Sequence, residues 1–410
     1  MAPAPEFTLL TDAVAGVRPG HADVGSWDAA RWDAALHAAE WHRLSPLLHR
    51  WCAELPGVPR GVRARLEEAY LANAARNLQV LTTLRDVLAA LHDAGVPAMP
   101  LKGAALLGTA YPDPALRELL DLDVLVPLPA LGDARRALLA AGFAPGEDQA
   151  DLEAHTMGSN DHHDDVLVAA HRVVAVELHH HVAMPAEREH FDIGGVWARA
   201  QHAAGPPPHL LPSHEDLLVH LCVHFMRNRL GGGYRRAGTG GALAQLYDVG
   251  AVLARLPVDW DRLAALARAY GLASRVHLAL FAAREVGVAV PADGLALLEP
   301  EDFDAALGRR LVALRVLRAG PQLPVRTLRF IVAPGRDVLE RGWDAGDGRG
   351  VALTRAYLRR AMAKAPLATA ALRRPRAVLD DYRLNAQIRA LEAGEHDRLP
   401  PLSTTPVTKA

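Results

Sequence analysis

Two aspartates separated by one residue stand inside an apolar stretch, at Asp121 and Asp123 in the run LLDLDVLV from 119 to 126. The β-branched, bounded character of this run predicts a strand, on which side chains two apart point to the same face. Neighbouring carboxylates in an apolar setting repel each other and are costly to desolvate. A divalent cation bound by their oxygens would offset both costs. A solvated strand end or a helix cap would also explain the pair.

A third acid follows about fifty residues later, at Glu177 in the run VVAVELH from 173 to 179. This run also predicts a strand, and a carboxylate from a neighbouring strand would complete a two-metal phosphoryl-transfer site. Upstream, Lys102-Gly103 opens a small-residue helix, where backbone N–H groups and a lysine charge suit a phosphate. A lysine that ends a strand in solvent is the alternative for Lys102.

The elements that would position these residues form a mixed α/β unit. The patterns predict a strand over 98–101, a helix over 103–110, a strand over 120–126, a helix over 129–141, a strand starting near 143, and a hairpin of strands 166–170 and 173–181. By the period of two, His179 and His181 share the face of Glu177, whereas His180 faces the other way.

Helical periodicity dominates on both sides of this unit, while residues 1–25 show little periodicity. We expect two helices broken near 43–46, a long helix over 61–92, a proline-rich linker at 205–212, helices over 217–229, 242–256, 259–270 and 273–287, and further helix within 300–394. Ser213 and Asp216 suit a capping box that opens the helix after the linker.

These patterns predict an α+β fold with a mixed sheet core flanked by N-terminal helices and a helical C-terminal region. The expected boundaries are an N-terminal helical region over 1–94, the α/β core over 95–204, a helical substrate-cleft domain over 213–290, a C-terminal helical region over 291–395 and a disordered tail over 396–410.

The composition argues against several classes of function. The 410 residues are half hydrophobic with a formal net charge of -2, so general binding to a long nucleic acid is not expected. Cys52 and Cys222 are too few for a disulfide framework or a cysteine-based zinc site. The first residues lack the features of a signal peptide, and no apolar run is long enough to span a membrane. We therefore expect a cytoplasmic protein without a membrane partner.

The ordered motif set resembles the bacterial uncharacterised nucleotidyltransferase family, within the DNA polymerase β-like nucleotidyltransferase superfamily. The matching residues are Leu101-Lys102-Gly103, Leu106, Tyr111, Asp113, Arg117, Asp121, Asp123, Leu125-Val126 and Glu177-Leu178-His179. The resemblance covers roughly residues 28 to 290. Lys102-Gly103-Ala104 replaces the usual Gly-Ser turn of the superfamily, so a serine hydroxyl is missing there.

The resemblance implies an enzyme that moves a nucleoside monophosphate from an NTP such as ATP to an unidentified acceptor, with Mg²⁺ (or Mn²⁺) as cofactor. Asp121, Asp123 and Glu177 would be the catalytic and metal-binding residues. Lys102 and Gly103 would bind the nucleotide. The acceptor would be a small molecule, a peptide or a protein.

Three further residues belong to the expected site. Arg117 would bind the nucleotide phosphates or pair with one of the acids, and His179 would lie beside the metal ligands. Asp248 matches an acid typical of the family's helical region, where it would bind substrate or cap a packing contact.

Two other functions are compatible with the sequence. The same fold could serve as a non-catalytic nucleotide-binding or protein-interaction module. His220 and His224 are four apart on a predicted helix, a spacing that can hold zinc, and a histidine-based zinc hydrolase would use them. Structural or substrate-cleft histidines are the alternative for this pair.

Overall fold

The computed structural model describes residues 5–16, 24–145, 163–169, 174–182, 191–230, 240–301 and 303–317. The first part is helical, with α1 (Pro5–Ala15), α2 (Ala29–His42), α3 (Ser45–Cys52) and α4 (Arg60–Asp93). The break between α2 and α3 and the long helix α4 confirm the predictions for this region. The prediction of a loose lead-in over 1–25 is wrong for residues 5–15, because α1 buries Leu9 and Leu10 against the other helices. Residues 1–4 and 17–23 of that stretch lie outside the described residues.

A five-stranded mixed sheet follows. Its strands are β1 (Met99–Pro100), β2 (Asp121–Leu125), β3 (Phe143–Pro145), β4 (His163–Ala169) and β5 (Ala175–His179), in the order β1-β2-β5-β4-β3. The central pair, β2 and β5, is parallel, and the other pairs are antiparallel. Helix α5 (Lys102–Thr109) connects β1 to β2, and α6 (Leu131–Ala140) connects β2 to β3. The predicted mixed sheet with helices is confirmed.

One face of the central strands is apolar. Leu122 and Val124 of β2 and Val176 and Leu178 of β5 are all 0% exposed. Alternation along each strand sends the intervening residues to the opposite face. A register shift of one residue would bury carboxylates among these side chains, so the burial of the apolar face fixes the position of the acids.

The expected linker at 205–212 is structured. After α7 (Ile193–Ala198), the strands β6 (Gln201–His202) and β7 (Leu210–Leu211) form a two-stranded ribbon across it. The backbone N–H of Leu210 donates to the Ala98 carbonyl at 2.9 Å, which fastens the ribbon beside β1. Backbone pairing thus holds both ends of the proline-rich segment, and its role as a linker between domains stays a prediction.

The remaining described chain is helical. It comprises α8 (His214–Phe225) with a π-helical turn at Met226–Leu230, α9 (Ala242–Arg255), α10 (Trp260–Ala269), α11 (Ala273–Glu285), α12 (Ala292–Ala296) and α13 (Ala305–Arg315). The Ser213 hydroxyl caps α8 by accepting from the Asp216 backbone N–H, as the capping-box pattern predicts. The predictions for 318–410 lie outside the described residues. None of the described helices combines the length and apolar character that a membrane span requires.

Helix α4 holds the connection over 113–119 that leads into β2. Asn73 and Asn77, one helical turn apart, donate side-chain amide hydrogen bonds to backbone carbonyls of this connection at 2.6 to 2.7 Å. Arg76 adds a hydrogen bond to the same connection at 2.8 Å. The start of β2 is thus fixed by polar side chains of α4.

Asn73, Arg76 and Asn77 together form a clamp on this connection. The clamp predicts a loss of stability on substitution of Asn77, whose amide donates to the carbonyls of Pro114 and Arg117. Asn77→Ala leaves both carbonyls without that donor and should lower the free energy of unfolding by about 2 to 3 kcal/mol. Urea denaturation measures the effect. Gln79→Ala, an exposed change on the same helix, should stay within about 0.5 kcal/mol of wild type. Equal stability of the two variants would contradict the clamp.

Candidate functional site

The acids predicted from sequence lie on one face of the sheet. Asp121 and Asp123 alternate with apolar residues on β2, and Glu177 and His179 do so on β5. The parallel register pairs Asp123 with Glu177. Residues paired across parallel strands point to the same side, so the four side chains form an acidic face opposite the apolar one.

Lys102, the first residue of α5, reaches this acidic face. Its Nζ donates to Asp123 Oδ1 at 2.5 Å, and its side chain is 14% exposed. The backbone of Lys102 has a φ of 46°, in the left-handed region that non-glycine residues seldom adopt. Such a conformation costs about 1 to 3 kcal/mol and is often found at functional sites.

A shared hydrogen-bond system sets the charges of the acidic face. His179 Nε2 lies 2.7 Å from Asp123 Oδ1 and 3.5 Å from Glu177 Oε2. Burial alone would raise the pKa of Asp123, but the Lys102 charge and the His179 hydrogen bond hold it well below its usual range. Burial alone would lower the pKa of His179, but hydrogen bonds with both acids raise it. The expected state is an ionised Asp123 that faces the Lys102 side chain and an imidazole whose protonated form both acids favour.

Asp121 is in the opposite situation. Burial, and then the negative charges of Asp123 and Glu177, raise its pKa to about 6. The charges of Lys102 and Arg117 reduce this rise without cancelling it. Ionising all three acids is therefore unfavourable without a further cation.

The residues of the acidic face fit a divalent cation. Ligand atoms of Asp123, Glu177 and His179 all lie within 4.8 Å of one another, the one group of three potential ligands in the described residues. Carboxylate oxygens suit Mg²⁺ and Mn²⁺, and an imidazole nitrogen is a common ligand of transition metals. The set predicted from sequence had Asp121 in place of His179, and the structure brings Asp121 to the same face but outside this group.

Arg117 and Asp248, both assigned to the site from sequence, bind each other. Arg117 Nε and Nη2 donate to the two Asp248 carboxylate oxygens at 3.1 and 2.8 Å, and the Tyr111 hydroxyl donates to Asp248 Oδ1 at 2.7 Å. Burial lowers the pKa of Arg117, but Asp248 more than compensates and raises it overall. Since Asp248 lies on α9, this buried ion pair joins the sheet core to the C-terminal helices. Breaking such a pair by removing one partner typically costs about 3 to 5 kcal/mol.

Gly103 provides the close approach between α5 and this ion pair. A Cβ at Gly103 would lie 2.6 Å from Leu119 Cδ2 and 3.1 Å from the Arg117 guanidinium carbon. The absence of a side chain at Gly103 is thus required for packing. Its predicted nucleotide contact stays a prediction.

His220 and His224 both lie on α8, with ring centroids 6.5 Å apart. The ring nitrogens of His224 contact Arg227 Nη2 at 3.1 Å and Asn228 Nδ2 at 2.9 Å. Among the described side chains, neither histidine belongs to a group of three potential metal ligands. The described geometry therefore gives no support to a zinc hydrolase built on this pair.

The acidic face on a mixed sheet, with flanking helices, is the arrangement that the resemblance to nucleotidyltransferases implied. The chain belongs to the uncharacterised nucleotidyltransferase family, whose model matches residues 28–287. This membership supports a transferase enzyme and suggests an NTP as its substrate. No curated protein and no solved structure matched the chain.

The raised pKa of Asp121 predicts a pH dependence of stability. Because its pKa rises from 3.8 to about 6 on folding, the folded state favours the protonated form. This contribution is complete below about pH 4 and is lost as the pH rises through about 6, amounting to about 2 to 3 kcal/mol. Asp121→Asn cannot ionise and should therefore gain stability relative to wild type over this window.

Thermal and urea unfolding in EDTA between pH 4 and 7.5 measure this difference for the metal-free protein. Asp133→Asn, which removes an exposed carboxylate on α6, is the control and should show little change relative to wild type. If the difference in unfolding free energy between Asp121→Asn and wild type stayed constant from pH 4 to 7.5, the raised pKa of Asp121 would be contradicted.

Proposed function

We propose that the protein is a Mg²⁺-dependent nucleotidyltransferase that moves an NMP group from an NTP to an acceptor. The acceptor oxygen would form a bond to the α-phosphorus while the bond to the β-phosphate oxygen breaks, releasing pyrophosphate. The observation that carries this proposal is the convergence of Asp123, Glu177 and His179 on one sheet face, in a chain of this family. Asp121 adds a further carboxylate to that face.

The proposed division of roles follows the charges. Asp121, Asp123 and Glu177 would hold Mg²⁺ or Mn²⁺, with His179 orienting Asp123 or acting as an additional ligand. The bound cation would neutralise the phosphates and stabilise negative charge that develops on the leaving pyrophosphate. Lys102 is held at the acidic face by Asp123 and would contribute a phosphate contact.

Arg117 would hold the neighbouring chain in place and would not contact the nucleotide. Its guanidinium is saturated on one side by both oxygens of Asp248, and Nη1 donates to the Glu118 carbonyl at 2.6 Å. A contact with phosphate would compete with this buried ion pair. We therefore assign Arg117 and Asp248 to fixing the chain that enters β2.

A non-catalytic nucleotide-binding module is the second candidate, and one observation favours it. Lys102 and His179 both contact Asp123 Oδ1, so this carboxylate has two side-chain partners without any metal. A protein that uses the acids only to hold Lys102 would bind an NTP without transferring it. Pyrophosphate release separates the two candidates.

The test measures pyrophosphate release from each of the four NTPs with Mg²⁺ or Mn²⁺, with cell extract as the source of acceptor. Asp123→Asn and Glu177→Gln should each lower the rate by about two orders of magnitude or more, because each removes charge at the reacting phosphates. Asp133→Asn is the control on the protein surface and should retain the wild-type rate.

Release that is equal in wild type and Asp123→Asn would reject the assigned acids. NTP binding without release in any extract fraction would favour the binding module.

A further inference from the structure

His220 is a buried histidine that the proposed roles do not use. It is 7% exposed and lies in the middle of α8, a helix whose residues 215 to 223 are all buried. The preceding strand β7 is fastened to Ala98 next to β1, and α8 packs against α5, whose first residue is Lys102. The fold therefore places α8 beside the turn that carries Lys102 to the acidic face.

The charges of the acidic face reach the side of α8 that bears His220. His220 and His224 are four residues apart and so lie on the same side of the helix. The charges of Lys102 and Asp123 act on both imidazole rings, and that of His179 also acts on His220. Since Lys102 and Asp123 are in direct contact, these interactions converge on a single place.

The two histidines differ in their partners. Both ring nitrogens of His224 are in contact with side chains of the π-helical turn, Arg227 and Asn228. The ring nitrogens of His220 have no hydrogen-bond partner among the described residues, and its ring contact is with His224. A ligand that hydrogen-bonds these nitrogens would therefore displace no protein partner.

The chemistry of His220 restricts that ligand. Burial, and then the positive charge of Lys102, lowers the pKa of His220 well below its usual range, so the ring is neutral near pH 7. A neutral imidazole has one N–H donor and one acceptor nitrogen. A hydroxyl group, which also donates and accepts, matches this ring, whereas a phosphate oxygen offers acceptors alone.

We propose that His220 hydrogen-bonds a hydroxyl group of a substrate bound at the acidic face. This inference rests on the proposed nucleotidyl transfer and names a substrate contact of the same site. The hydroxyl belongs to the ribose of the bound NTP or to the acceptor. The ribose and the acceptor offer the same hydroxyl chemistry. Measurements of nucleotide binding and of turnover distinguish the two sources.

The binding arm compares ATP with 2′,3′-dideoxy-ATP by isothermal titration calorimetry in Mg²⁺. If His220 contacts the ribose, wild type should bind ATP about 5- to 10-fold more tightly than 2′,3′-dideoxy-ATP. This ratio corresponds to the net contribution of one hydrogen bond. His220→Phe removes this preference, while His220→Asn, which keeps a donor and an acceptor, retains part of it. A structural role alone would not create a dependence on the ribose hydroxyls.

The turnover arm measures pyrophosphate release with extract as acceptor. With an acceptor contact, wild type does not discriminate between the two nucleotides in binding. His220→Phe then leaves the ATP dissociation constant unchanged and lowers kcat about tenfold or more, with partial rescue in His220→Asn.

His277→Phe is the matched control, since His277 is a buried histidine on α11 whose ring packs against Phe281 and Phe303. Thermal unfolding of each variant identifies any loss of fold, and His220→Asn keeps the test valid if His220→Phe does not fold. His277→Phe should change neither nucleotide preference nor kcat.

Two outcomes would overturn the inference. If wild type binds ATP but folded His220→Phe matches it in both arms, His220 makes no substrate contact and the proposed function stands. If wild type binds no NTP in the presence of Mg²⁺, the proposed function fails and the inference with it.

Discussion

Three carboxylates share one face of a buried sheet, and their mutual repulsion is the constraint to which the neighbouring structure responds. Asp123 is ionised because Lys102 and His179 both contact it, whereas the pKa of Asp121 is raised to about 6. Lys102 adopts a left-handed backbone conformation at the position where it makes this contact. The face therefore still favours an additional cation, which is the requirement of a site that handles a nucleoside triphosphate.

Helices that precede the sheet core in the sequence and helices that follow it both hold the connection into β2. Asn73 and Asn77 of α4 hold the connection that enters β2, and the Arg117–Asp248 pair links the same connection to α9. The start of β2 is thus fixed by elements that precede and follow the core. Rigid support of this kind keeps reacting groups in a productive geometry.

Local patterns predicted the elements that carry the acids, because apolar alternation and bounded β-branched runs depend on neighbouring residues. The mixed sheet was predicted in this way, and the family from the resemblance of the ordered motif set; both predictions are confirmed. Arg117 and Asp248 are 131 residues apart, and their pairing depends on tertiary packing. The sequence shows that one is basic and the other acidic, but it does not show that they pair. For the clamp, two asparagines spaced by four on the buried side of a long helix were a usable signal. The pairing of Leu210 with Ala98 likewise has no local signature, because it joins residues that are far apart in the sequence.

The central claim is that the carboxylates of β2 and β5 bind a divalent cation. Titration of Mn²⁺ followed by electron paramagnetic resonance measures this directly, without knowledge of the acceptor. Wild type should bind Mn²⁺, Asp123→Asn should lose that binding, and Asp133→Asn, an exposed change, should retain it. Equal Mn²⁺ binding by wild type and Asp123→Asn, with both proteins folded, would contradict the account.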